Sequence, residues 1–149
     1  MYKRRINVRG IIFHENKILV QRLRRGDGEY DFWSTPGGGL DDGENLIDGL
    51  HREMIEETGI APVIGKLLFV QQFHDGEKEQ LEFFFHIENS QDYLEIDLES
   101  TSHGMEEVSR VEFIDAATER ILPEFLTEID IKPHLTGAKP VLVMSELSA

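Results

Sequence analysis

Three glutamates, Glu53, Glu56 and Glu57, fall within one short segment whose residue pattern is helical. Spacings of three and four residues bring side chains together on a helix, so we expect the three carboxylates along one edge. Neighbouring carboxylates repel each other, and the helix dipole disfavours anions in the last turn. A divalent cation with oxygen ligands would remove this cost. Because carboxylates are hard donors and the chain has no cysteine, we expect Mg²⁺ or Mn²⁺.

The helix that carries these acids is predicted from about Asn45 to Thr58. Pro36 and a run of glycines precede it, and Gly59 supplies a C-terminal stop. The glutamates border the stripe that we expect to be buried, which consists of Leu46, Ile47, Leu50 and Met54. The competing interpretation is a solvated acidic face on an ordinary amphipathic helix, which is how an isolated E-x-x-E-E segment is usually explained.

The glycines before the helix are Gly37, Gly38 and Gly39, which we call the glycine loop. They let the backbone approach a ligand closely. A carbonyl of Gly37 or Gly38 could then complete the coordination of the ion, and both residues are candidate substrate contacts. The alternative is a plain turn between a strand and a helix, which glycines also mark. The neighbouring glutamates favour the binding role.

Composition indicates a soluble chain of 149 residues that forms one domain over residues 1–149. No apolar run approaches the length of a membrane span, so we expect no membrane partner. The absence of cysteine fits a reducing compartment, and we expect a cytoplasmic protein. The net charge of −14 disfavours binding to long nucleic acids. It does not exclude a small phosphorylated ligand, because bound cations invert the local field.

Positive residues are concentrated in the first 25 positions. Arg22 and Arg24 lie near a predicted strand just before the glycine loop, where guanidinium groups could contact phosphate oxygens. Solvated surface arginines are the alternative at each position.

The remaining pattern predicts an α/β layer architecture. We expect strands at Arg5–Phe13, Lys17–Arg22, Ala61–Phe73, Gln80–Ile87 and Val108–Ile114. Pro123 is expected to open a helix that ends at about Ile129, since proline suits the first turn of a helix. The pattern after Lys132 leaves the structure of the tail open.

Residues 38–60 also fit a longer pattern, G-x5-E-x7-R-E-U-x-E-E-x-G-U, in which U is a bulky aliphatic residue. Every fixed position is matched: Gly38, Glu44, Arg52, Glu53, Met54, Glu56, Glu57, Gly59 and Ile60. This is the signature of the Nudix hydrolases, and the chain resembles that family. The resemblance implies an α/β/α sandwich around a mixed β-sheet, in which the signature forms a loop–helix–loop.

The resemblance also implies a chemistry, namely attack of water on a phosphorus of a nucleoside diphosphate linked to another moiety X. By resemblance, Glu53, Glu56 and Glu57 hold Mg²⁺ or Mn²⁺ with help from a carbonyl of Gly37 or Gly38. Arg52 would orient the glutamates, and Glu44 would give structural support. A module of the same fold that binds or senses a nucleotide without turnover is the alternative.

A general base outside the helix is expected in the acidic segment before the strand Val108–Ile114, where Glu95, Glu99, Glu106 and Glu107 lie. Glu106 is the first choice and Glu107 the second, and His103 could assist at the phosphate; a solvated loop acid is the alternative for each glutamate. The marks of several substrate subfamilies are missing around residues 73–78, which leaves a nucleoside triphosphate, perhaps a damaged one, as the default substrate. The oligomeric state is left open, with a homodimer among the choices.

Overall fold

Two β-sheets form the centre of the protein in a computed structural model that describes residues 3–76, 78–101 and 104–146. The first sheet is mixed and has the order β11-β7-β8-β1-β6. Its strands are β1 (Lys3–Ile11), β6 (Gly37–Gly39), β7 (Ile64–Asp75), β8 (Lys78–Ile87) and β11 (Leu142–Ser145). Strand β1 runs parallel to β8 and antiparallel to β6, so the glycine loop extends the sheet.

The second sheet is built around one long strand, β3 (Lys17–Arg25). Its other strands are β2 (Phe13–His14), β4 (Gly28–Glu29), β5 (Trp33–Ser34), β9 (Val108–Ile114) and β10 (Ile121–Leu122). The predicted strand Arg5–Phe13 is therefore wrong at its end. Ile12 is fully buried and its carbonyl accepts a bond from the Leu19 amide, and at this point the chain passes from the first sheet to the second.

Four α-helices lie in the described part of the chain. They are α1 (Leu46–Thr58), α2 (Gly104–Glu107), α3 (Phe125–Glu128) and α4 (Lys132–Thr136), with 3₁₀ turns at Ser90–Tyr93 and Leu98–Ser100. One core cluster joins Met54 of α1 to Val8 and Ile87, and the other joins Leu126 of α3 to Phe69. The predicted α/β class is confirmed. Among the described residues, no helix is both long and apolar enough to cross a bilayer.

Both ends of α1 are fixed by local hydrogen bonds. The Asn45 side chain accepts a bond from the Asp48 amide at 2.8 Å and caps the first turn. Gly59 ends the helix in the left-handed conformation (φ 76°), and its amide donates to the Ile55 carbonyl. The predicted burial of Ile47 is wrong, because this residue of the first turn lies outside the core cluster and is 46% exposed.

Other sequence predictions differ from the structure mainly at element ends. Val108–Ile114 forms a strand as predicted, whereas the strand expected at Ala61–Phe73 begins at Ile64 and continues to Asp75. The tail that the pattern left open forms α4 and β11, and β11 pairs in parallel with β7. This pairing is not visible in any local pattern.

Candidate active site

The Arg52 guanidinium connects Gly39 and Glu44, which precede α1 in the sequence, to the acids of that helix. Its Nε and Nη2 each donate to one oxygen of Glu44 at 2.8 Å, and Nη2 also donates to the Gly39 carbonyl at 3.1 Å. Its Nη1 donates to Glu53 Oε1 and Glu56 Oε2, both at 3.0 Å. The bonds from Arg52 lower the pKa of Glu44 to about 2, so this carboxylate stays ionised. The planar guanidinium thus fixes three carboxylates at once.

Glu57 is a buried acid that faces the glycine loop. Its side chain accepts a bond from the Gly37 amide at 3.0 Å, and the residue is only 5% exposed. Burial raises the pKa of Glu57 to about 8; the Gly37 bond and the Arg9 charge oppose this rise, and Glu53 and Glu107 add to it. The negative charge of Glu57 is therefore costly in the absence of a cation.

Glu53 lies against the glycine loop, one turn before Glu57 on the same helix. A Cβ atom added to Gly38 would lie 2.6 Å from Glu53 Oε2, so only glycine lets the loop strand pass the carboxylate at this distance. Burial raises the pKa of Glu53, the bond from Arg52 opposes the rise, and the charge of Glu56 adds to it. The charge of Glu56 thus disfavours ionisation of Glu53, and the charge of Glu53 disfavours ionisation of Glu57.

The two candidate backbone ligands differ in their hydrogen bonding. Amide–carbonyl bonds join β1 to the loop strand at Pro36 and at Leu40. Because such pairs recur at every second residue of an antiparallel ladder, Gly38 and its register partner Val8 form the pair between them. The Gly38 carbonyl is therefore turned toward β1, whereas the Gly37 carbonyl lies outside the ladder. This geometry favours Gly37 over Gly38 as a backbone ligand.

The donor set fits a hard divalent cation. Carboxylate and carbonyl oxygens are the ligands that Mg²⁺ and Mn²⁺ prefer, and the buried Glu57 charge would be compensated by such an ion. Within residues 3–76, 78–101 and 104–146, no three acidic or histidine side chains already converge on one point. Arg52 holds Glu53 through Oε1 and Glu56 through Oε2, so one guanidinium nitrogen positions both carboxylates on the same edge of α1.

The candidate loop acids occupy different surroundings. Glu106 and Glu107 are both exposed in the short helix α2, but Glu107 is the one whose charge raises the pKa of Glu57. Glu95 lines a separate groove beside β9, and Glu99 lies in the 3₁₀ turn Leu98–Ser100. His103 lies outside the described residues. Glu107 therefore acts on the charge of Glu57, and the role of Glu106 as general base stays a prediction.

A cleft of about 840 Å³ opens beside the acidic cluster. Arg9 connects the two, because its Nη1 donates to the Gly37 carbonyl at 3.1 Å and its Nε donates to Glu82 on the cleft floor, also at 3.1 Å. Sequence reasoning missed Arg9, Asn7 and Glu82 as site residues. The available signal was the alternation of polar Arg5, Asn7 and Arg9 with apolar residues along β1.

The predicted phosphate contacts Arg22 and Arg24 are not among the described residues that line this cleft. The Arg22 guanidinium lies 4.6 Å from the centre of the Trp33 ring and donates to the Tyr30 carbonyl. Arg24 is the register partner of Glu29 in the β3–β4 hairpin. Their role in substrate binding remains a prediction, and Arg9 is closer to the cluster by its contacts.

A comparison with protein families decides the classification. The model of the NUDIX domain matches residues 3–130, which is most of the chain. The chain belongs to the Nudix family. The match includes the loop–helix segment and the cleft strands of the first sheet, and it ends before α4 and β11.

The chain is similar over part of its length to curated relatives whose names refer to a nucleotide or to RNA. It is 42% identical over 51 residues to an 8-oxo-dGTP diphosphatase of Buchnera aphidicola, covering 34% of this chain and 39% of the relative. It is 36% identical over 62 residues to an RNA pyrophosphohydrolase of Agrobacterium fabrum, covering 39% of this chain and 34% of the relative. The matches thus span less than two fifths of each relative's length.

The fold is also similar to that of a MutT NUDIX hydrolase from Burkholderia pseudomallei. The TM-score is 0.66 at 17% identity, and the match covers 85% of this chain and 97% of that one. At this identity the likeness concerns the fold alone.

Proposed function

We propose that this Nudix protein hydrolyses the diphosphate linkage of a nucleoside diphosphate joined to another moiety, with Mg²⁺ or Mn²⁺ as cofactor. The observation that carries the proposal is the position of the buried Glu57. Glu57 accepts a bond from the Gly37 amide, and the Gly37 carbonyl accepts one from Arg9, which also donates to Glu82 in the cleft and to the Thr35 carbonyl. A phosphate chain bound at this junction would meet both the acidic cluster and a guanidinium.

In this proposal, Glu53, Glu56 and Glu57 hold the ion together with the Gly37 carbonyl. A bound divalent ion neutralises the diphosphate and lowers the pKa of the attacking water. Arg52 keeps the glutamates in place by its bonds to Glu53 and Glu56. We propose Glu107, with the adjacent Glu106 as the alternative, as the acceptor of the proton from the attacking water, because both lie in α2 and the charge of Glu107 raises the pKa of Glu57.

We propose a free nucleoside triphosphate, including one with an oxidised base, as the substrate class. The names of the two relatives described above refer to 8-oxo-dGTP and to RNA, so a single nucleotide and an RNA chain are the two substrate classes to compare. Among the described residues that line the cleft, two are arginines (Arg5 and Arg9) and five are acids: Asp75, Glu82, Glu124, Glu128 and Glu146. Together with the net charge of −14, these acids disfavour a polynucleotide chain more than a single nucleotide.

The test is Mg²⁺-dependent release of phosphate or pyrophosphate from a panel of nucleoside triphosphates, nucleotide sugars and 5′-triphosphorylated RNA. Glu57→Gln keeps the size of the side chain and its acceptor for the Gly37 amide but removes its charge. We expect it to lower kcat/KM by about a hundredfold or more. Glu119→Gln, at an exposed position of the second sheet's loops, is the matched control.

Equal activity of Glu57→Gln and the parent protein would rule out the proposed site. Tight nucleotide binding without turnover under Mg²⁺ or Mn²⁺ would instead indicate a binding or sensor module. These two outcomes are separated by measuring binding and hydrolysis on the same panel.

A further inference from the structure

A row of buried polar side chains crosses the floor of the cleft. Asn7 on β1 is the register partner of Glu82 on β8, and Glu82 is the partner of Gln71 on β7. Cross-strand partners project from the same face of a sheet, so the three side chains lie side by side. They are 2%, 5% and 7% exposed, respectively, although all three line the cleft. We call them the polar row.

Some hydrogen-bond acceptors of the polar row have no partner in the described part of the chain. Asn7 Nδ2 donates to Gln80 Oε1 at 2.8 Å and lies 3.4 Å from Glu82 Oε2, which fixes the orientation of this amide. Asn7 Oδ1 and Gln71 Oε1 are buried and have no partner in the described part of the chain, and the same holds for Ser34 Oγ nearby. Buried polar atoms are normally paired, so these oxygens indicate a ligand that donates.

The cleft has the walls and the polarity of a base-binding site. Phe32 and Phe73 line it together with the apolar Leu23 and Pro123. Its basic residues are Arg5 and Arg9, and Arg9 donates to the Gly37 carbonyl beside the acidic cluster. A nucleotide with its phosphates at Arg9 would therefore extend its base along the polar row toward the aromatic walls.

We infer that the polar row selects guanine by accepting hydrogen bonds from its N1–H and N2–H₂ groups, an inference that rests on the proposed function. Guanine presents these two donors side by side, and the unpaired oxygens of Asn7 and Gln71, on the two strands that flank Glu82, are the acceptors that would receive them. Adenine and cytosine each present one amino donor beside a ring nitrogen acceptor, and uracil presents one N–H between two carbonyls. Each of these bases would leave a buried acceptor of the row unpaired or facing another acceptor. An 8-oxidised guanine has the same edge and is selected by the same contacts.

The experiment compares kcat/KM for GTP, ITP, ATP and CTP with Mg²⁺. ITP differs from GTP only by the missing 2-amino group. The ratio of the kcat/KM values for GTP and ITP therefore measures the contribution of hydrogen bonds from that group. We expect GTP to exceed ITP about tenfold and to exceed ATP and CTP by about tenfold or more.

Gln71→Met removes one acceptor of the row while keeping the length of the side chain. We expect the ratio of kcat/KM for GTP to kcat/KM for ITP to fall toward one, because the acceptor for the 2-amino group is lost. The variant should fold, because it replaces a buried unpaired group with an apolar one. Gln72→Met is the matched control: the neighbouring residue bonds to Glu79, is not among the described residues lining the cleft, and should leave the ratio unchanged.

Calorimetric binding of GMP, IMP and AMP in the presence of EDTA separates this inference from the proposed function. Preferential binding of GMP that is lost in Gln71→Met supports the polar row even if no nucleotide is hydrolysed, in which case the proposed function fails. Hydrolysis that requires Glu57 but treats all four triphosphates alike overturns the polar row and leaves the proposed function standing. A GTP preference that survives in Gln71→Met also overturns it.

Discussion

At the scale of residues, the charged groups of α1 lie in two contrasting environments. Arg52 forms hydrogen bonds to Glu44, Glu53 and Glu56 and is held at the edge of the site by them. Glu57 is buried and accepts a hydrogen bond from the Gly37 amide, and burial raises its pKa to about 8. One helix turn thus combines a rigid ion-pair network with an acid that is poorly solvated.

The raised pKa of Glu57 predicts how stability depends on pH when divalent ions are removed. The folded protein binds the proton of the Glu57 carboxyl group more tightly than the unfolded chain does, because the pKa of this group in the unfolded chain is near 4.5. The contribution of protonated Glu57 to the free energy of unfolding is therefore fully present below about pH 4.5. It is lost as the pH rises through about 8. In EDTA, we expect the parent protein to lose on the order of a few kcal/mol relative to Glu57→Gln across this window. Urea unfolding at several pH values measures the difference, and a difference independent of pH would contradict the burial of an ionisable group.

Arg52→Lys tests whether the fork of the guanidinium matters beyond its charge. A lysine amine cannot reach Glu44, Glu53 and Glu56 together, so the glutamates should lose their fixed orientation. We expect kcat/KM to fall about 10–100-fold, as is usual when residues that orient metal ligands are changed. Arg110→Lys is the control, because Arg110 makes a comparable two-pronged bond to Glu29 in the second sheet. Equal effects of the two substitutions would show that Arg52 has no special role.

At the scale of elements, the site depends on the close approach of the glycine loop to α1. The space for a side chain at Gly38 is filled by the Glu53 carboxylate, and the space at Gly37 is filled by the Val8 carbonyl. The loop strand is in turn held by its ladder with β1. The position of Glu53 and Glu57 relative to the loop is therefore set by the packing of β1, the loop and α1 together.

Gly38→Ala tests this approach directly. Its Cβ would lie 2.6 Å from Glu53 Oε2, so the carboxylate must move away from the loop. We expect affinity for Mn²⁺ to fall by about tenfold or more, because ligand geometry is disturbed. Gly28→Ala is the control, since its nearest atom outside the adjacent residues would be 3.8 Å away. Unchanged Mn²⁺ affinity in Gly38→Ala would show that Glu53 does not need this position.

At the scale of the whole molecule, sequence reasoning found the parts that are coded locally. Helix α1 could be predicted because its cap, its stop and its glutamates follow one another along the chain, and β9 because its pattern alternates. Pairings between distant segments could not be predicted in the same way. Strand β11 joins β7, and Phe125 of α3 packs on Phe69 with ring centres 5.3 Å apart.

The cleft shows the same limit on prediction. Its lining combines β1, β7 and β8 with the segment around α3, which are far apart in the sequence. For this reason the pattern favoured Arg22 and Arg24, which are near the glycine loop in sequence, over Arg9, which contacts it in space. Residues that bind through tertiary contacts carry only a weak local signal.

Leu126→Ala tests how strongly the short helix α3 holds the fold together. Leu126 is fully buried in the cluster that joins α3 to both sheets. We expect the free energy of unfolding to fall by about 2–5 kcal/mol, as is typical when a cavity is left in a core. Leu94→Ala, at a position that is 54% exposed, should change it by less than about 1 kcal/mol. Denaturant unfolding measures both, and similar values for the two variants would contradict the assigned core.

The central claim is that Glu53, Glu56 and Glu57 together bind a divalent cation, and Mn²⁺ titration followed by electron paramagnetic resonance tests it most directly. The parent protein and single Glu→Gln variants at the three positions are compared, with Glu119→Gln as control. We predict saturable binding to the parent and the control, and affinity reduced by about tenfold or more in each of the three variants. Binding of equal strength in all five proteins would contradict the account.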